Sequence, residues 1–157
     1  MTKDQYVSMG KKVLTLQIDK QCFNQILDGD QTTERRYVYP RNAKKYVYFE
    51  ADGKTYINQD DIPEGSKIVK VVPVEYDALY LINGRRKDAP RMLIEVQDAK
   101  WYILTDENGK DLTFTQNGEE YLVSQVWYYL GEVVFTENCG NKEIEFCGGK
   151  IIGELPS

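Results

Sequence analysis

Histidine is missing from this chain of 157 residues. Its absence removes Ser-His-Asp and Cys-His nucleophile systems, a histidine general base and nearly all catalytic zinc sites. Any chemistry falls to carboxylate, Lys, Tyr, Thr or Cys side chains. Cysteine is scarce: Cys22, Cys139 and Cys147 are odd in number and far apart, which argues against a disulfide framework and against a CxxC metal knuckle. They are expected to be reduced, and either buried or idle. No metal and no cofactor is expected. Long apolar runs are also lacking, and none approaches the ~20 residues of a membrane span. Residues 1–6 do not have the apolar core of a secretory signal. The expectation is a cytoplasmic protein with no membrane partner. No internal repeat or low-complexity segment stands out.

What is present suffices for one core: 157 residues, 41% of them hydrophobic, suit a single domain. The net charge of −5 is unevenly spread. Residues 31–45 carry Arg35, Arg36, Arg41, Lys44 and Lys45 against Glu34, a net +4, and residues 85–91 carry Arg85, Arg86, Lys87 and Arg91 against Asp88, a net +3, leaving −12 for the remainder. An acidic body with two basic segments points to a local anionic ligand, since general duplex binders are usually basic throughout. Solvated loop charge is the plainer alternative.

Periodicity and turn chemistry give the elements. Residues 1–10 are polar and end in Gly10, so they read as a tail, and residues 13–18 form a first strand. In residues 20–28, Cys22, Phe23, Ile26 and Leu27 share a helical stripe, with Asp19 as N-cap and Gly29 at the C-terminal left-handed position. From 33 to 39 the period falls to two, so that Glu34, Arg36 and Val38 face one side and Arg35, Tyr37 and Tyr39 the other. Residues 46–50 and 54–57 form a hairpin about Ala51, Asp52 and Gly53. A turn cluster at 60–65 precedes a long strand over 67–76, in which Pro73 marks an edge or bulge. Residues 76–82 fit either a strand or an irregular crossover. A strand follows from Met92 to about Val96, continuing irregularly through 101–104. Two more flank the Asn117-Gly118 turn, and a long aromatic strand covers 126–135 with a bend at Gly131. Many short strands, frequent Gly turns and one or two helices suggest a small, partly closed β-barrel. Trp101, Trp127 and Tyr128 are assigned to its core.

Gly29, Gln31, Glu34 and Arg36 carry a resemblance to the ASCH family (activating signal cointegrator homology) of the PUA-like superfamily. Its signature is a helix ending in Gly, then x-Lys-x-x-Glu-x-Arg entering a strand. Residues 80–90, Tyr-Leu-Ile-Asn-Gly-Arg-Arg-Lys-Asp-Ala-Pro, with Met92, Leu93, Ile94, Glu95 and Val96 after them, are similar to a loop and strand of many bacterial members. The resemblance runs from Val13 to about Val96. It implies a mainly β (α+β) fold, a small PUA-like β-barrel with one or two short helices packed beside it. The chain then divides into a polar N-terminal tail (1–10), an ASCH/PUA-like domain (11–138) and a C-terminal extension (139–157).

In the family, the helix and this corner line a cleft proposed to accept a nucleotide or RNA base. The resemblance implies that Arg36 meets phosphate or a base edge, that Glu34 accepts from an exocyclic amine or orients Arg36, and that Gln31, Thr32 and Thr33 line the same cleft. A mutual Glu34 and Arg36 ion pair that stabilises the strand is the plainer use of those charges. The second basic loop would fold over the cleft, Arg85, Arg86 or Lys87 neutralising phosphate and Tyr80 offering a stacking surface. Tyr37, Tyr39, Tyr46 and Tyr48 would also stack bases, with ordinary strand packing as the alternative.

Gln31 departs from the family, which usually has Lys there. One family activity, N4-acetylcytidine amidohydrolase, resembles a Thr-Lys-Glu system, and by register its Lys position is Gln31 and its Thr position is Glu34. Two of three groups are therefore absent, and neither Thr32 nor Thr33 occupies the matching place. The first expectation is a noncatalytic binding module for RNA, a nucleotide or a modified nucleoside. The alternatives are a hydrolase acting on a modified nucleoside or RNA, with Glu34 as its catalytic acid or base, and a module that binds a protein partner.

Overall fold

The computed structural model describes residues 1–66 and 69–139. Residues 67 and 68 of the expected long strand, Cys147 and the extension beyond residue 139 lie outside the described residues. In chain order the elements are α1 (Lys3–Ser8), β1 (Val13–Gln17), α2 (Lys20–Leu27), β2 (Thr33–Val38), α3 (Ala43–Tyr46), β3 (Val47–Ala51) and β4 (Lys54–Tyr56). A 3-10 turn at Gln59–Asp61 leads to β5 (Val69–Pro73), β6 (Ala78–Ile82), β7 (Arg91–Ile103), β8 (Thr113–Gln116), β9 (Glu119–Leu122) and β10 (Ser124–Glu137). The chain is mainly β with short helices, an α+β arrangement. The strands make three sheets, ordered β1-β6-β7-β10-β2, β4-β3-β5 and β8-β9, which among the described residues remain open. No helix among them is long and apolar enough to cross a membrane.

Among the described residues two compact units emerge, one from Met1–Glu34, Tyr76–Asp98 and residues 129–139, the other from Arg35–Glu75 and Ala99–Tyr128. In the first, β1 runs parallel to β6, Val13 opposite Ala78 through Gln17 opposite Ile82, and β6 runs antiparallel to β7. The undecided stretch before Ile82 is thus a strand. Both its faces are covered: Leu79 and Leu81 are fully buried, while Ala78, Tyr80 and Ile82 cluster with Tyr6, Ala89 and Leu93. A strand buried on both sides reads as a continuous apolar run, so its period is hidden.

The first ten residues, expected as a tail, contain α1. Thr2 and Gln5 cap it reciprocally, the Thr2 hydroxyl accepting from the Gln5 amide at 3.1 Å and the Gln5 side chain from the Thr2 amide at 2.8 Å. Tyr6 then enters the core. The irregular passage expected after Val96 is instead continuous strand to Ile103. At Gly131 the backbone conformation is ordinary, and what requires glycine is proximity: an added Cβ would lie 3.1 Å from Gln97 Cγ.

In the second unit, β3 and β4 form the expected hairpin, with Asp52 and Gly53 both at positive φ, as a type I′ turn needs. β5 is an edge strand ending in Pro73. The Asn117-Gly118 turn has the same form and sets Phe114 opposite Tyr121 across β8 and β9. Tyr46 closes the one-turn α3 instead of opening β3, and is buried.

Candidate functional site

The corner begins with how α2 is stopped. Asp19 accepts from the Cys22 amide at 2.7 Å to start the helix, and Phe23 and Ile26 anchor it in the core. At the other end Gly29, at φ +84°, lets its own amide reach Ile26 O at 3.1 Å and the Asp30 amide reach Gln25 O at 2.9 Å. That pair of bonds is a Schellman motif. A third bond, from the Gln31 amide to Gln25 O at 3.0 Å, fixes the residue that follows.

Gln31 is thereby placed to fold its side chain over the start of β2. Its Nε2 donates to Thr33 O at 2.9 Å and lies 3.4 Å from Glu34 Oε1. Glu34 is only 6% exposed. Thr32 holds the corner through its backbone, its carbonyl accepting from the Leu130 amide of β10 at 2.9 Å. The expected alternation along β2 holds: Glu34 is buried and Arg36 and Val38 are half-buried, while Arg35, Tyr37 and Tyr39 are exposed.

The second predicted cluster is differently disposed. Tyr80 is buried in the core, flanked by Phe135 and with Lys3 Nζ 5.2 Å from its ring centre, and so offers no open stacking face. Its hydroxyl donates to the Glu137 carboxylate. Burial first, and that hydrogen bond second, push the Tyr80 phenol above its ordinary value, while Arg91 acts in the opposite sense. Arg85, Arg86 and Lys87 are exposed, and Arg86 pairs within its own loop with Asp88 at 3.2 Å.

The root of this loop is tied to the start of α2. Asn83 Nδ2 donates to Ile18 O at 3.0 Å. Asn138 holds the far side through Ala89 O at 3.1 Å. The basic loop is therefore rooted at the N-terminal end of α2 and the Gln31–Glu34 corner at its C-terminal end. Eight residues of helix set these points roughly 12 Å apart. Gln31, Thr33 and Glu34 are brought together, whereas Tyr80 belongs to the core and Arg85, Arg86 and Lys87 are exposed on the loop after β6.

The pattern missed two arrangements. Glu137, the acceptor for Tyr80, lies 57 positions away with no local signal. In the second unit, Trp127, expected in the core, is half-buried beneath the Arg35 guanidinium, 3.9 Å from the ring centre, and donates through Nε1 to Gln125. The position of Arg35 on the outward side of β2 was a signal for it. Among the described residues no cluster of His, Cys, Asp or Glu could hold a metal ion. Comparison with protein families, with curated proteins and with solved structures finds no match to this chain.

Proposed function

We propose that this chain is an RNA- or nucleotide-binding module of the ASCH kind, its mainly β fold the small barrel of the PUA-like superfamily. The observation that carries the reading is the buried residue Glu34, its carboxylate set beside the Gln31 amide, on the side of β2 that it shares with Arg36. A carboxylate can accept from the exocyclic amine of a nucleobase edge, and a guanidinium on the same strand side suits phosphate. Gln31 brings an amide but no titratable amine, which favours binding over an amidohydrolase mechanism.

The test is thermal stability against nucleosides, nucleotides, modified cytidines and short RNAs at fixed salt, in wild type, Arg36→Ala and Glu34→Gln. One ligand class should raise the melting temperature of wild type by mass action, and the rise should disappear in Arg36→Ala. A panel with no shift would sink the reading and favour a protein partner. Turnover of a ligand that Glu34→Gln abolishes would replace it with the hydrolase.

A further inference from the structure

The second unit contains two adjoining cavities outside the Gln31–Glu34 corner. The first, of about 250 Å³, has a wall of Tyr39, Trp101, Phe114 and Tyr121 and a floor that includes Val47 and Phe49. Its rings are mutually braced: Phe114 meets Tyr39 edge-on at 5.8 Å and stacks on Tyr121 at 5.5 Å. The second, of about 210 Å³, is polar and is lined by Arg41, Lys44, Asn58 and Asp60. Pro40, Ala43, Gln59 and Tyr121 line both, so one opens beside the other.

We infer that the two cavities form one binding site for a small planar aromatic ring carrying a single anionic group. The apolar cavity is below the usual size for a drug-like ligand, which suits one ring system and excludes a long chain. Aromatic walls accept a flat π-face with little regard to its substituents. Arg41 and Lys44 face the polar half, while Asp60 leaves that half a net single positive charge. This balance favours a carboxylate or monophosphate over a polyphosphate. Glu120, on the wall of the apolar half, accepts from the Thr113 hydroxyl at 3.0 Å and so has a partner within its own hairpin. The inference is independent of the proposed corner function.

The test is calorimetric titration of the full chain carrying Arg36→Ala, which impairs the corner, with adenosine 5′-monophosphate and separately with an aryl carboxylate. Binding should persist in that background. It should weaken about tenfold when Arg41→Ala and Lys44→Ala are added, the effect of losing charge-assisted bonds to the anion. Both side chains are exposed, so these variants spare the core. Phe114→Leu, which keeps an apolar wall but no ring face, should weaken binding as well. Which probe binds identifies the anion as phosphate or carboxylate. The inference is overturned if neither probe binds the Arg36→Ala chain, or if affinity is the same with and without Arg41 and Lys44. Nucleotide binding by wild type that Arg36→Ala removes, with no binding of the aryl carboxylate to either chain, would overturn this site while leaving the corner function standing.

Discussion

A carboxylate withdrawn from water is held by its donors, and Gln31 is one of those serving Glu34. Gln31→Ala is expected to destabilise the fold by about 1 kcal/mol, the usual net worth of one intramolecular hydrogen bond. A lower urea midpoint with an unchanged m-value would show it. Tyr80 supplies the complementary case. Its phenol is raised by burial and by Glu137, so the folded state holds that proton more tightly than the unfolded chain does. The contribution to stability is complete below the ordinary tyrosine value of about 10 and is lost as pH rises through the higher folded value. Tyr6 is raised as well, by burial first and then by Asp77 and Glu95. Unfolding midpoints should fall as pH is taken above about 10, and Tyr80→Phe should flatten part of that fall. Equal slopes in both proteins would refute it.

At the scale of elements, helix α2 depends on its ends. Asp19→Ala removes the acceptor for the Cys22 amide and should cost about 1 kcal/mol, measurable by thermal or denaturant unfolding. Those ends were legible from Asp19 and Gly29, because capping is local chemistry. The alternation of β2 was legible too, and so were the turns at Asp52-Gly53 and Asn117-Gly118, where the backbone conformation dictates the residue type. β6 was not, since Ala78, Leu79, Tyr80, Leu81 and Ile82 are all buried and no polar face reveals the period. The continuation of β7 was obscured by the polar run Gln97, Asp98, Ala99 and Lys100, whose strand conformation comes from neighbours remote in sequence. The Thr2 and Gln5 spacing did advertise α1, and the polar composition around it masked the signal. Of the candidate site, Gln31 and Glu34 were legible together because three residues separate them. Which way Tyr80 faced depended on Glu137 and Phe135, which no local pattern brings near.

For the whole molecule, the charge distribution sets what binding should look like. With a net charge of −5 and a positive balance only over two short segments, the chain has no broad field to attract a polyanion. A nucleic acid ligand should therefore contact only one or two phosphates. The slope of log K against log salt should be near −1, by the rule of about −0.7 per phosphate on a single strand. A slope several times steeper, measured by fluorescence anisotropy, would mean an extended basic track instead.

The chain has two tryptophans. Trp101 forms part of the aromatic wall around Phe114, and Trp127 lies beneath the Arg35 guanidinium. The second unit thus contains its own optical reporter: a ring seated in the apolar cavity replaces solvent next to an indole and alters its emission without any attached dye.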